Sequence, residues 1–530
     1  MFKVRTLLLL VAAFALPLSA QQTEPLAISL DDAIQNAVQR NLGVQFQRYE
    51  YEQAGYSAKS AYGFFDWQAF ADVESSSSQT PAASLIESSQ TDRTIANFGI
   101  RQNIPTGGNY AIGFNNNRRA SDNQFVTVNP SYNSSFGFSF MQPLMRDFGT
   151  DISRRGIKLA RNNLGVSRES FRTILTNTTL GVVQAYYDLI FARQNLEVKR
   201  LSLALAKDQE RITQIKIDVG ANAPLDILQP RVAIATRDEE IIIAEAQVRD
   251  AEDRLRRLMN LPMQEWNRPI EPTDDISYRE TPIDVTAAVE RALEQRPELA
   301  QARIGVESRR IEYRYARNQV LPQLDLALSY GVGGIGGNRI IRDPETGEQI
   351  GVVEGGISDA FDQVTAFDFP SWTVGFSVGV PVTNIGARAE AKRAELDLRQ
   401  ETARVDDVRQ TIILEVRQTV RDIDTAARRI TAARAARDAA EKNVDAERKR
   451  YENGMTTNFN VLSVQQELSD ARSREIAALV LYNKAIASFH RAVGDLLEVH
   501  DIKVDDLQDF SLPPSRLEDV RWLRSDRGSK

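Results

Sequence analysis

The sequence predicts a mostly α-helical chain that also carries a membrane β-barrel segment. Its plan is a duplicated helix–strand–strand–long helix–helix repeat that builds a long antiparallel α-helical barrel. Three observations predict this. Residues 152–218 and 386–452 lie in proline-free runs and read as helices of roughly 100 Å at ~1.5 Å per residue, far beyond a globular helix. Similar short segments recur in the same order in both halves. Between the helices, stretches alternate apolar residues with small polar ones.

The amino-terminal 20 residues read as a secretory leader. Lys3 and Arg5 precede an apolar run over 7–16, and a small residue, Ala20, stands at the expected cut. The run has about half the length that a membrane-spanning helix needs. The chain is acidic, with a net charge of −7 and no basic block, so nucleic acid is not an expected partner. There is no cysteine, and the only histidines are His490 and His500. Thiol nucleophiles, zinc and iron–sulfur centres and most histidine-based catalysis are thereby excluded. Neither a cofactor nor an enzymatic activity is expected. Without a cysteine there is also no amino-terminal lipid, so contact with a membrane must come through the fold.

The first repeat is expected over 21–270: a helix at 31–65 opened by Ser29-Leu30-Asp31-Asp32, a β region at 66–145, and a helical hairpin at 152–260. The second is expected over 271–498, with a helix at 284–319, a β region at 322–381 and a hairpin at 386–494. A polar tail fills 499–530. The segment AIQNAVQRNLGVQ at 33–45 aligns with AVERALEQRPELA at 288–300, and GANAPLDIL at 220–228 aligns with GMTTNFNVL at 454–462. In each half the two shorter helices together match the long one. That predicts a rod with the β segments at one end and the turns near Gly220 and Gly454 at the other. Residues 430–451 place alanines where bulky core residues would sit, which permits close helix packing between solvated charged faces. A free-standing coiled coil fits that stretch equally well, but explains neither the leader nor the β segments.

In the β regions, Trp372, Val374, Phe376, Val378 and Val380 share one side while Thr373, Gly375, Ser377 and Gly379 share the other. The segment Phe136-Gly137-Phe138-Ser139-Phe140 alternates likewise. Apolar or aromatic residues outward and small polar ones inward is the pattern of a membrane barrel; the edge of a soluble β-sandwich has the same period. Two clear strand pairs cannot close a barrel alone, and an open edge in lipid leaves unpaired amides. Several chains related by cyclic symmetry are therefore expected. Residues 94–117 look like an additional hairpin turning at Pro105-Thr106-Gly107-Gly108, either a surface loop or added barrel strands. Gly331-x-Gly333-x-x-Gly336 matches a dinucleotide loop only in spacing, since a turn follows it instead of a helix.

Over nearly the whole chain past the leader, these segments resemble the TolC-like outer-membrane efflux proteins. The resemblance is carried by LDDAIQNAVQRNL, by Pro297-Glu298-Leu299, by the Leu321-Pro322 junction and by Gly454-x5-Asn460-Val461-Leu462, in order within a duplicated plan. It implies a homotrimer in outer-membrane lipid, four strands per chain in one trimeric transmembrane β-barrel, and a helical tunnel into the periplasm. The implied partners are a periplasmic adaptor (membrane fusion protein) and an inner-membrane pump or exporter. The implied function is the passive, gated outer-membrane channel of a tripartite efflux or type I secretion system. In such proteins a tyrosine, an arginine and two aspartates constrict the second tip. The matching positions here are Tyr451, Thr456, Asn460 and Ser463, of which the tyrosine alone is kept. Asp226 in the first tip is a candidate for a ring of carboxylates, and equally for a helix cap. Gly220, Leu228, Gly454 and Leu462 are the candidate adaptor contacts. Phe64, Phe65, Trp67 and Trp372 are the candidate membrane-interface aromatics. The competing reading is a periplasmic coiled-coil adaptor or structural protein without a barrel.

Overall fold

The computed structural model describes residues 24–81, 87–280, 282–503, 507 and 510. The leader expected at 1–20 and most of the tail expected at 499–530 lie outside them. In chain order the elements of the first half are β1 (Leu26–Ile28), α1 (Leu30–Arg40), α2 (Leu42–Tyr62), β2 (Gln68–Gln79), β3 (Gln90–Asn103), β4 (Asn109–Ser121), β5 (Val128–Pro143), α3 (Thr150–Ser153), α4 (Arg155–Asp218) and α5 (Leu228–Met259). Then come β6 (Ile270–Pro272), α6 (Val285–Gln295), α7 (Pro297–Asn318), β7 (Gln323–Arg342), β8 (Gln349–Val353), α8 (Ile357–Ala366), β9 (Phe369–Gly379), α9 (Ile385–Glu452), α10 (Asn458–Val493) and α11 (Leu496–Val499). The proline-free runs fold as the helices α4 and α9, of 64 and 68 residues.

Three expectations need correction. The helix expected at 31–65 is two helices, because the Asn41 side chain accepts from the Gly43 and Val44 amides at 2.8 and 3.3 Å and so starts α2 afresh. The helix expected at 284–319 breaks at Arg296, where Pro297 takes the first position of α7 and disfavours helical geometry before it. The third concerns strand number. The region 66–145 holds four strands, so the hairpin at 94–117, which the sequence leaves open between surface loop and added strands, lies in the sheet, and 322–381 holds three strands plus α8 where one strand pair was expected. Loss of Cβ atoms admits α8 to the sheet: a Cβ on Gly334 would lie 2.2 Å from the Ala360 carbonyl oxygen.

One compact unit takes in the chain up to Gln45, Leu175–Arg291 and Glu415–Lys503. Here β1 pairs in parallel with β6, Leu26 opposite Ile270. Their small sheet covers a core of Ile34, Val182, Tyr186, Leu189, Leu255, Met259 and Ile270. The Tyr186 hydroxyl lies 2.6 Å from an Asp274 carboxylate oxygen, which also accepts from the Leu30 amide at 2.7 Å. Burial and then the Asp274 hydrogen bond push the Tyr186 phenol well above its ordinary range. The ends of α1 and α5 meet: Asn41 Nδ2 donates to the Leu258 carbonyl at 2.8 Å, and Asn260 Nδ2 to the Arg40 carbonyl at 3.0 Å. Between α9 and α10 the seam mixes alanines, Ala471, Ala478 and Ala485 at heptad spacing opposite Ala426 and Ala440, with the bulky Ile423, Ile430, Val444, Leu468 and Tyr482.

The second unit takes in Phe46–Ile174 and Ala292–Leu414, together with the described residues 507 and 510. It holds a sheet that, among the described residues, has seven strands in the order β2-β3-β4-β5-β7-β8, with β9 also on β7. Every pairing is antiparallel. The sheet of one chain stays open, with β2 at one edge and β9 and the short β8 on the far side of β7 at the other. In the tail, Phe510 is a buried aromatic; its ring meets Tyr51 and Tyr56 edge-on, over Gly55 of α2.

Candidate functional site

Both helix–turn–helix tips are built by the same local chemistry. At the first, Gly220 adopts φ +74°, and the Ala221 amide bonds back to the Lys216 carbonyl at 2.8 Å. At the second, Gly454 adopts φ +72°, and the Met455 amide bonds back to Arg450 at 2.8 Å. A left-handed residue closing a helix in this way is where glycine belongs. The next helix then starts on its own cap. Pro224 opens a 3-10 turn (Pro224–Ile227) whose Asp226 carboxylate accepts from the Ala223 amide at 3.2 Å and Asn222 Nδ2 at 3.0 Å. At the second tip, Thr457 Oγ1 accepts from the Asn460 amide at 3.4 Å.

The tips are tied by a buried polar network. Asn458 Oδ1 accepts from Gln209 Nε2 at 2.8 Å, and its amide group reaches the Asp226 carbonyl at 3.3 Å. Thr213 Oγ1 donates to the Gln209 carbonyl at 2.8 Å, which leaves it to accept from the Tyr451 hydroxyl at 3.2 Å. Lys216 Nζ donates to the Tyr451 carbonyl and sits 4.1 Å from the centre of the Tyr451 ring. A cation on the last carbonyls of α9 is favoured by the helix dipole and by the ring face. Further along, Arg237 of α5 donates to the Ser202 carbonyl of α4 at 2.8 Å, and to Gln465 and the Leu462 carbonyl of α10 at 3.3 Å each. Burial pushes its pKa down; an arginine nonetheless stays charged.

The residues singled out from the sequence fall into distinct places. Tyr451 is buried, and its hydroxyl faces α4 of the same chain. Thr456 donates to the buried Glu447 carboxylate and accepts from Asn460 Nδ2 at 3.0 Å, while Ser463 is exposed. Gly220, Gly454 and Leu228 are exposed, whereas Leu462 is buried and offers its carbonyl to Arg237. Around the turns Val219, Leu225, Met455 and Phe459 are all more than 60% exposed. The residues that join the tips, Gln209, Thr213, Lys216, Arg237, Glu447 and Asn458, were missed. Their signal was present: Gln209, Thr213 and Lys216 recur at i, i+4 and i+7, a polar stripe on one helix face.

On the sheet, one face carries Ile112, Phe138, Tyr330 and Trp372 in one register row, with Phe98, Phe114, Phe136 and Val332 in the next. The opposite face carries Gly99, Gly113, Gly137, Gly331 and Ser371 in one row, with Phe70 of β2 in the same row and its ring over Gly99 and Gly113. Phe64 and Phe65 stack edge-on at 5.1 Å in the turn before β2. Trp67 meets Tyr110 edge-on at 5.5 Å. Trp372 lies within β9 opposite Tyr330, 74% exposed. Among the described residues no helix is long and apolar enough to cross a membrane, and no group of acidic, histidine or cysteine side chains is placed to hold a metal.

Comparison with known proteins gives a consistent result. A family model described as outer membrane efflux protein matches residues 109–261 and 288–495. The chain is 21% identical over 392 residues to the pyoverdine export outer membrane protein OpmQ of Pseudomonas aeruginosa, covering 73% of this chain and 76% of that one. It is 24% identical over 375 residues to the alkaline protease secretion protein AprF of the same species, covering 68% and 69%. Among solved structures, the outer-membrane channel OprN superposes with a TM-score of 0.65 at 15% identity, over 88% of this chain and 89% of that one.

Proposed function

The chain belongs to the outer membrane efflux protein family, and on that premise we propose that it is the outer-membrane conduit of an efflux or secretion system. Three chains would close the free edges β2 and β9 into one barrel, and their helices would line the periplasmic part of the passage. The observation that carries this is the two-faced sheet: aromatic and aliphatic on one side, glycine and serine on the other, with unpaired edges that water or a second chain must satisfy. No bond is made or broken; the work is gated passage. Fractionation with gel electrophoresis of unheated samples tests it. A heat-sensitive trimer in the outer-membrane fraction is expected, and soluble periplasmic material would overturn the reading.

The tips are the mouth of the conduit in this reading. The apolar residues bared around the turns, Leu225, Leu228, Met455 and Phe459, suit the helical hairpin of a periplasmic adaptor. An inner-membrane pump or exporter would stand behind that adaptor. Asp226 has two roles to separate, since its carboxylate already caps the turn. Asp226→Asn keeps an acceptor oxygen and removes the charge. If three carboxylates select ions at the mouth, single channels of Asp226→Asn in planar bilayers lose cation preference by two-fold or more. Unchanged selectivity would leave Asp226 a cap alone.

A further inference from the structure

The β3–β4 hairpin stands where a surface loop would suffice, and its chemistry is not that of a loop. Its pairing runs the full height of the sheet. β3 pairs with β2 from Gln68–Arg101 to Gln79–Gln90, and β4 pairs with β5 from Asn109–Met141 to Arg119–Ser131. Along its inner half the hairpin repeats the alternation of the strands beside it. Phe98, Ile100, Ile112 and Phe114 fall in the rows of Phe136, Phe138, Tyr330 and Trp372. Asn97, Gly99, Arg101, Ala111, Gly113 and Asn115 fall on the other face with Ser135, Gly137, Ser139, Gly331 and Thr373. Farther out both faces turn polar, with Thr91, Asp92 and Arg93 opposite Ser121, Ala120 and Arg119.

The inner turn of the hairpin is also built into the junction between strand and helix. The Ile104 amide bonds to the Gly108 carbonyl at 2.8 Å, and Gly107 takes φ +97° with a carbonyl so close that a Cβ would lie 2.2 Å from it. The Gly149 amide, ahead of α3, donates to the Thr106 carbonyl at 2.9 Å, and the Ser153 hydroxyl donates to the Pro105 carbonyl. At the foot of β3, Gln102 and Asn103 donate to the carbonyls of Phe65 and Phe64 at 2.7 and 3.0 Å.

We propose that this hairpin is part of the lipid-facing wall, its Phe98–Ile100–Ile112 face covered by acyl chains, while Phe114, in the next row, is buried under Phe361 of α8, which packs on the same face. Each chain then contributes six full strands, β2, β3, β4, β5, β7 and β9, instead of the four implied by resemblance. The inference rests on the channel reading above. Six strands in antiparallel order leave β2 and β9 running in opposite directions, so joining β9 of one chain to β2 of the next keeps every pairing antiparallel. Three chains make a barrel of about 18 strands, and because diameter grows nearly linearly with strand number, the bore is about 1.5-fold wider than with about 12. The transmembrane section then passes bulkier cargo than a four-strand design; Gly137 and Gly331 add no side chain to the inner face, while the Phe70 ring of β2 lies over Gly99 and Gly113.

A chain without cysteine makes each introduced cysteine a unique reporter. Ile112→Cys, Ala111→Cys and Val374→Cys, each carrying a nitroxide in outer-membrane vesicles, are compared by relaxation with oxygen, which concentrates in lipid, and with a water-soluble nickel complex. Ile112 and Val374 are expected to relax mainly with oxygen, and Ala111 mainly with nickel. If Val374 reports lipid while Ile112 reports water, the hairpin lies outside the wall and the proposal fails with the channel reading intact. If Val374 itself reports water, the channel reading fails first. Electron cryomicroscopy of the unsubstituted chain in lipid nanodiscs reads the number directly: about 18 strands in cross-section support the proposal, and about 12 overturn it.

Discussion

Tyr451, expected from the resemblance at the constricted mouth, has its hydroxyl on Thr213 and its ring under Lys216 within one chain. Tyr451→Phe removes one net hydrogen bond, worth about 1 kcal/mol, and is expected to speed amide hydrogen exchange in the last turn of α9 while leaving that of β7 unchanged. Asp495 couples its charge to pH through the groups packed around it. Burial alone would raise its pKa, but the His490 ring nitrogen at 2.9 Å and the Arg291 guanidinium at 3.3 Å hold it below the ordinary carboxylate range. A carboxylate with a depressed folded-state pKa stabilises fully above the ordinary value and loses that contribution as the pH falls through the folded value. Wild type is therefore expected to exceed Asp495→Asn in stability at pH 7, and the difference to shrink below about pH 4, as read from denaturant midpoints at both pH values.

At the scale of elements, helix was legible where strand number was not. A proline-free run with charges at i,i+3 and i,i+4 is a local property, and pairs such as Arg399–Glu395 and Arg428–Asp424 lie along α9 as such spacing dictates. The alanines of 430–451 were expected in the core, but of these only Ala440 is buried; Ile430 and Val444 fill the seam beside it, and most of the other alanines face outward. Helix breaks at Asn41 and Arg296 were less legible, because each depends on one cap or one proline overriding an otherwise continuous pattern. Arg237 could not have been found by pattern at all: it is a charged residue on a helix rich in charges, and only packing places it among the carbonyls of α4 and α10. Arg237→Ala leaves those acceptors without their donor and opens a gap, a cost of about 3 kcal/mol. The substitution is expected to lower the thermal midpoint of the purified protein and to loosen α5 and α10 in hydrogen exchange.

At the scale of the molecule, the two faces of the sheet set what substitution does. Val374 and Thr373 are neighbours on β9 that point to opposite faces. An arginine on the lipid face of a membrane strand costs ~2–4 kcal/mol near the bilayer midplane. Val374→Arg is thus expected to cut the yield of heat-sensitive trimer in the outer membrane. Thr373→Arg is expected to spare assembly and to change conductance or ion preference. Equal loss of trimer in both variants would contradict the assignment of the faces.

The sequence by itself determined the lengths of the two long helices, the positions of both tips, the alternation of the strands and the absence of thiol chemistry. Each of these is written in local period or composition. Only the tertiary structure decided how many strands enter the sheet, that α8 packs on it, and which polar side chains tie one tip to the other. Register between distant strands, and contact between distant helices, depend on which surfaces meet across long stretches of chain, and period alone carries no information about partners. The residues 94–117 make the difference plain: an alternating hairpin can be read from sequence, but whether it lies over a sheet or within one is decided by the hydrogen bonds that β3 and β4 make with β2 and β5.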